Sequence, residues 1–234
     1  MDKKNNIFLA GHRGLVGNAI LQELKFSGYN NIFLRSKKQL DLTNQSKVNN
    51  FFKRNKIDCI IIAAAKVGGI LANKNFPAEF IYQNLMIQCN IIQAAHQNNI
   101  DDILILGSSC IYPKYCKQPM KEDYLLTGKL EPTNQPYALA KIAGIEMCKS
   151  YNTQYNRNYR CLMPPNLYGG NDNFNLITSH FYPAIIKKLF DAKLRKKNYI
   201  TLWGTGKARR ELMYVGDLAK AVVFFYRNQN KKIS

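Results

Sequence analysis

Between Gly107 and Lys141 the chain carries two Ser and a Cys in GSSCIYP, then a Pro-rich loop, then a Tyr four positions before a Lys in QPYALAK. These residue types suit hydride transfer and proton abstraction on one carbon skeleton. On a helix, the i,i+4 spacing puts Tyr137 and Lys141 on one face. The ammonium there is expected to favour the phenolate and so lower a Tyr pKa from its usual value of about 10. A Tyr/Lys pair alone describes many ordinary helix faces, and the weight comes from Ser108, Ser109 and Cys110 upstream. Carbons flanking a ketone are acidified by enolate delocalisation, and a thiol of ordinary pKa near 8.5 is a base of suitable strength. A Ser/Tyr pair that stabilises an enolate oxygen also stabilises the later alkoxide, so one oxyanion site serves both chemistries.

A second motif, GHRGLVG, follows the apolar run Asn6 to Ala10 and opens a helical pattern. Glycines at Gly11, Gly14 and Gly17 allow a tight turn and let backbone N–H groups approach a pyrophosphate at a helix N-terminus. The whole loop, with His12, Arg13, Leu15 and Val16, is therefore assigned to a dinucleotide. Arg35 and Lys37 follow the second apolar run, where an acidic residue would bind the ribose of NAD. Cations there suit a 2′-phosphate, which makes NADP(H) the expected cofactor.

The elements that must position these residues alternate. Strands are expected at Asn6 to Ala10, Asn31 to Leu34, Asp58 to Ala65, Ile103 to Ser108 and Tyr159 to Met163. Helices are expected at Leu15 to Phe26, Gln45 to Asn55, Pro77 to Asn98 and from the Tyr137 region to about Tyr155. Continuous apolar strands alternating with helices imply an α/β fold, a parallel sheet covered on both faces and doubly wound in the Rossmann manner. After Pro164 a Gly/Asn-rich loop leads to a helix around Tyr182 to Ala192, a short strand near Tyr199 to Trp203 and a last helix from about Asp217 to Arg227. Asp217 is expected as that helix's N-cap. The expected division is a nucleotide-binding domain at 1–165, a partial substrate region at 166–215, and a returning helix with the chain end at 216–234.

The 234 residues carry 34 Lys+Arg against 15 Asp+Glu, a formal charge of +19. Such a balance attracts anions, nucleotides included. The basic residues are mostly Lys beside Asn and scattered, a pattern of solvated faces that argues against nucleic acid as a partner. No apolar run approaches the roughly 20 residues of a membrane span, and the N-terminus lacks a signal-peptide core, so a cytoplasmic protein is expected. The six cysteines show no metal spacing and read as reduced thiols. No metal is expected.

SSCIYPK and EPTNQPYALAKIAG, together with GHRGLVG, AAAKVGGI, FIYQNLMIQCNIIQAAHQ and MPPNLYGGNDNFN, carry a resemblance. The chain resembles the GDP-L-fucose synthases, extended short-chain dehydrogenase/reductases that convert GDP-4-dehydro-6-deoxy-D-mannose to GDP-L-fucose. By position, the resemblance implies Cys110 as the base at carbons 3 and 5, and His180 as the acid returning protons. It implies Tyr137 as proton donor to the alkoxide at carbon 4, Lys141 as its partner on the nicotinamide ribose, and Ser108 on the ketone oxygen. It adds Ala64, Leu106, Gly107, Ser109, Lys141, His180 and the stretch Pro164, Pro165, Asn166 and Leu167 to the cofactor site. Lys188, Trp203 and Arg210 would bind the sugar nucleotide. Lys188 stands where the family has Arg, and Pro165 where it has Thr.

A homodimer through the helices bearing Asn84 and Tyr137 is also implied, although Asn84 reads more simply as a packing residue. The resemblance further implies that the family continues beyond Ser234 with another strand and much of a small substrate domain. Three readings therefore stand side by side: a GDP-L-fucose synthase, a cofactor-binding remnant without catalysis, and a related reductase or epimerase on another sugar nucleotide.

Overall fold

The computed structural model describes residues 2–228, and the end of the expected third segment, 229–234, lies outside them. Five strands, β1 (Ile7–Ala10), β2 (Ile32–Phe33), β3 (Cys59–Ile62), β4 (Asp102–Leu106) and β5 (Asn158–Leu162), form one parallel sheet in the order β2-β1-β3-β4-β5. The strand order reverses between β1 and β3, the place in such sheets where the chain leaves a crevice for a ligand.

Alternation along the strands decides which helix covers which face. Phe8, Ile60, Ile62, Ile103 and Ile105 point to one side, where they pack with Val48 and Phe52 of α2 (Gln45–Arg54), Ile91 and Ala95 of α4 (Pro77–Gln97) and Cys148 of α5 (Gln135–Tyr155). Ile7, Leu9, Ile61 and Leu104 point to the other, against Ile20 and Leu24 of α1 (Leu15–Phe26) and Leu218 and Val222 of α7 (Val215–Arg227). Ile60, Ile61, Ile91, Ile103 and Val222 are wholly buried. Each such side chain contributes on the order of 1.5–3 kcal/mol from apolar area removed from water. Pro77 and Pro136 stand in the first turns of α4 and α5, where a missing N–H costs nothing. The two helices approach closely enough that a Cβ on Gly144 would lie 2.4 Å from Gln88 Oε1.

The second part departs from expectation. No strand forms near Tyr199 to Trp203, where the backbone is irregular and Tyr199 and Trp203 are 77% and 73% exposed. The small sheet pairs β6 (Asn166–Tyr168) with β7 (Leu212–Tyr214), in parallel, on either side of α6 (Phe181–Leu194). The Tyr199–Trp203 run has a strand-like composition but no neighbouring strand to satisfy its backbone, and pairing decides. Tyr214, not Asp217, is the N-cap of α7. Asp217 lies three positions further on, in the first turn, and pairs with Lys220 at 3.5 Å. A short helix, α3 (Ile70–Asn75), was not foreseen, since six residues are too few to show a period.

Candidate active site

At the switch point, Gly11 has φ +89°, a conformation costly for other residues, and a Cβ there would lie 2.6 Å from the Ala64 backbone nitrogen. A Cβ on Gly17 would lie 2.1 Å from Gly11 O. The loop thus presses against the residues after β3 and against the start of α1, and only glycine fits both contacts. Leu15 opens the helix, and no acidic residue stands in its first turn to compete for an anion. Arg13 is exposed beside it. After β2, Arg35 lies over the Phe51 ring at 5.3 Å and donates to Leu34 O at 2.8 Å, and Lys37 is exposed. Burial and the neighbouring Arg13 hold the His12 imidazole below its ordinary pKa. The uncharged glycine cradle and the flanking cations fit a phosphorylated dinucleotide.

The second half of the crevice is built at the end of β4. Gly107 N donates to Leu162 O at 2.8 Å, and Ser109 N donates to Pro164 O at 3.2 Å, so the turn after β4 is tied to the chain after β5. Ser108 caps a single 3-10 turn, Ser109–Ile111, its Oγ accepting from Cys110 N at 3.4 Å. That turn aims Cys110 at α5. Ser108 also stands beside the Tyr137 phenol and the Cys110 thiol. Buried Lys141 donates to Leu106 O at 2.7 Å, with Nζ 5.7 Å from the centre of the Tyr137 ring.

The protonation states follow from burial. Lys141 is lowered to about 8 by desolvation, with Cys110 and Cys161 opposing. Burial pushes the Cys110 thiol up, partly offset by the Ser108 hydrogen bond and the Lys141 charge. Tyr137 is also pushed well up, by burial and by Cys110, against a Ser108 hydrogen bond. The expected lowering of Tyr137 by Lys141 is therefore corrected: the ammonium is committed to the Leu106 carbonyl, and desolvation of the phenolate outweighs it. A protonated Tyr137 is a proton donor.

A family model described as the NAD dependent epimerase/dehydratase family matches residues 7–234. The chain belongs to this family. Among relatives, it is 51% identical over 220 residues to the GDP-L-fucose synthase of Escherichia coli K12, covering 94% of this chain and 68% of that protein. It is 42% identical to the GDP-L-colitose synthase of Yersinia pseudotuberculosis, covering 96% of this chain and 73% of the other. The structure of a Campylobacter jejuni GDP-mannoheptose C4 reductase with NADP bound superposes with a TM-score of 0.88 at 36% identity, covering 98% of this chain and 76% of that one.

In this epimerase/dehydratase chain, the loop that ends at His180 docks on the segment after β3. Gly69 N donates to Thr178 O at 3.1 Å, and a Cβ on Gly69 would lie 2.2 Å from Ser179 O. The supporting segment is held by Asn84, buried in α4, which accepts from Lys66 N at 2.9 Å and donates to Lys66 O at 3.0 Å and Phe80 O at 2.7 Å. Phe80 meets the Tyr137 ring edge-on, at 6.4 Å between centres. Asn84 thus both packs its helix and orders the floor under His180. The Gly68–Gly69 pair was visible as a sequence feature, but nothing in its spacing told which distant loop would rest on it.

Of the three residues assigned to the sugar nucleotide, two meet. Lys188 Nζ donates to Thr201 O at 2.8 Å and lies 5.6 Å from the centre of the Trp203 ring. Arg210 is exposed and turns back on the Arg209 carbonyl. Asn166 of β6 donates to Glu211 O at 3.2 Å, which brings Pro164 to Leu167 beside the segment bearing Arg210. The described residues include no helix long and apolar enough to cross a membrane, and no cluster of His, Cys, Asp or Glu suited to a metal.

Proposed function

We propose that this chain acts as a GDP-L-fucose synthase, with NADP(H) as cofactor and GDP-4-dehydro-6-deoxy-D-mannose as substrate. The observation that carries the reading is Cys110 on a Ser-capped turn beside Tyr137 and Lys141, a base placed at the same oxyanion site as the proton donor. The E. coli relative supports the substrate. The NADP in the C. jejuni reductase supports the cofactor, as do Arg13, Arg35 and Lys37 around the glycine cradle.

In this reading Ser108 and Tyr137 hold the ketone oxygen at carbon 4. Cys110 takes the proton from carbon 3 and then from carbon 5, while Ser108 and Tyr137 stabilise the enolate oxygen. His180 delivers a proton to the opposite face of each carbon, which inverts it. Bound NADPH supplies the hydride for carbon 4. Tyr137 then gives its proton to the alkoxide, and Lys141, about 8 in pKa, holds the ribose side of the cofactor and stabilises the resulting phenolate. Lys188, Trp203 and Arg210 take the nucleotide diphosphate, so residues 166–215 serve as the substrate region and 1–165 as the cofactor domain. Two copies associate through the outer faces of α4 and α5, where Tyr82 and Leu139 are exposed.

Incubation of the pure protein with NADPH and the GDP-linked 4-keto sugar in deuterated water tests the reading. Deuterium at carbons 3 and 5 with oxidation of NADPH is expected, and failure of both rejects it. A second reading, a GDP-sugar 4-reductase or synthase with a different sugar, is favoured by the likeness to the colitose synthase and the mannoheptose reductase. Product analysis with the corresponding GDP-linked ketosugars separates the two.

A further inference from the structure

Along one face of α4, Phe80, Asn84 and Gln88 follow one another a turn apart, and each touches something that belongs to the site. Phe80 meets the Tyr137 ring, and Asn84 clasps the Lys66 backbone. Gln88 reaches across to α5. Its Nε2 donates to Ala140 O at 2.9 Å, and to Asn84 O on its own helix at 3.1 Å. Two carbonyl acceptors fix which end of the amide carries the nitrogen, so Oε1 faces the other way, toward Gly144. There it is buried, with no hydrogen-bond partner among the described residues.

This contact opposes stability in two ways. A buried acceptor without a donor loses its hydration and regains nothing, and glycine inside a helix is less favourable than alanine. Both arise at one place, because a Cβ on Gly144 would lie 2.4 Å from Oε1 and would expel the amide. An apolar side chain of the same length at position 88, facing a small residue, would join the helices with neither. What the amide adds is a bond to one particular carbonyl, that of the peptide group joining Ala140 to Lys141. From that peptide Lys141 extends to Leu106 O at 2.7 Å, and Tyr137 stands one turn earlier on α5.

We propose that Gln88 is a positioning residue for the Tyr137–Lys141 pair, fixing the height of α5 along α4 so that the ammonium meets the Leu106 carbonyl and the phenol stands beside Ser108. The inference rests on the roles given above to Tyr137 and Lys141. Apolar contact between helices is non-directional and tolerates sliding, whereas the Nε2 bond is lost well within the roughly 1.5 Å rise of one residue. A displacement of about 1 Å at a reacting group can lower a rate on the order of a hundredfold, so register along the helix matters here. Asn84, one turn below, is fastened to the segment after β3. Through Gln88, α5 is thus set against the same floor on which the loop before His180 rests.

Gln88→Met keeps the side-chain length and removes both the donor and the unpaired acceptor. Its expected urea midpoint is equal to the wild type's or higher, while kcat for NADPH oxidation falls about tenfold and KM for the GDP-linked 4-keto sugar stays within about twofold. The NADPH dissociation constant, from fluorescence titration, is expected to rise about threefold, because Lys141 faces the cofactor ribose. Gly144→Ala, which displaces the amide, should lower kcat to a similar extent. In a Gln88→Ala background the same change has room, and should raise the urea midpoint with no further loss of kcat. Unchanged kcat and NADPH affinity in Gln88→Met overturn the proposal, as does a kcat loss matched by a fall in urea midpoint, or additive losses in the double variant. A wild-type protein that does not turn over this sugar, with NADPH affinity still weakened by Gln88→Met, rejects the GDP-L-fucose synthase reading and upholds the role of Gln88.

Discussion

The sheet half of the molecule and the region after Pro164 are held in opposite ways. In the first, five strands bury both faces, and residues such as Ile61, Ile91 and Val222 are fully enclosed. In the second, α6 has Pro183 as its buried residue, while Ile186, Leu189, Phe190 and Leu194, spaced along one helix face, are 41%, 53%, 58% and 67% exposed. Nothing among the described residues covers that stripe. The cofactor loop and the Ser108–Cys110 turn therefore sit on a rigid frame. His180 and Lys188 sit on an element fastened at a few points, chiefly Gly69 to Thr178 and Asn166 to Glu211. In the proposed function Cys110, Tyr137 and Lys141 act from the firm half, while His180 and Lys188 come from the loosely held one, which is the usual placement for parts that adjust to a ligand.

The largest expected effect breaks the chemistry on the firm side. Cys110→Ser should lower deuterium exchange at carbons 3 and 5 by about 10²-fold or more, since a hydroxyl is a far weaker base, while NADPH affinity by fluorescence titration stays within about twofold. Equal loss of both would show that Cys110 supports the fold of the cofactor site instead of acting as base.

The contrast between the halves predicts unequal responses to the same small change. Gly17→Ala adds a Cβ against the Gly11 carbonyl inside the rigid frame, and should cost about 2–3 kcal/mol in urea unfolding together with cofactor affinity. Gly69→Ala presses on the Ser179 carbonyl at the joint, where the loop yields. It should cost under about 1 kcal/mol, with the loss appearing in exchange at carbons 3 and 5. Equal costs would dissolve the distinction.

A pH test reads the frame alone. Buried Asp102 is raised to about 6 by desolvation, despite Arg160 at 2.8 Å. Its folded value exceeds its unfolded one of about 3.9, so the native state binds the proton more tightly. Stability from this group is full below about pH 4 and is lost as pH rises through about 6, a decline on the order of 3 kcal/mol. Chemical denaturation between pH 4 and 7 should show this decline, flattened in Asp102→Asn.

The smallest effect belongs to the exposed stripe. Leu189→Ser should alter unfolding free energy by no more than about 0.5 kcal/mol, because the side chain is already wet. A loss above about 2 kcal/mol would mean that this face is covered in solution.

Much of the frame was legible in the residues. The five apolar strands and their helices stand where continuous hydrophobic runs and a 3.6-residue period place them, because both patterns report local burial directly. The misplaced strand and helix cap fall in the second region. The run at Tyr199 to Trp203 has strand composition without a strand, and β6 and β7 are three-residue segments that exist only through each other. Asn84 was read as packing and proved to hold the Lys66 backbone as well.

By itself the sequence determined the residue types available for proton transfer, the glycine cradle that only a backbone without Cβ can form, and the alternation that makes a parallel sheet. The tertiary structure alone decided which groups meet: the loop before His180 with the Gly69 floor, and Lys141 with the Leu106 carbonyl. It also decided their proton affinities. Desolvation, which raises Tyr137 and Cys110 and lowers Lys141, depends on what surrounds a side chain in space, and neighbours along the chain do not reveal it.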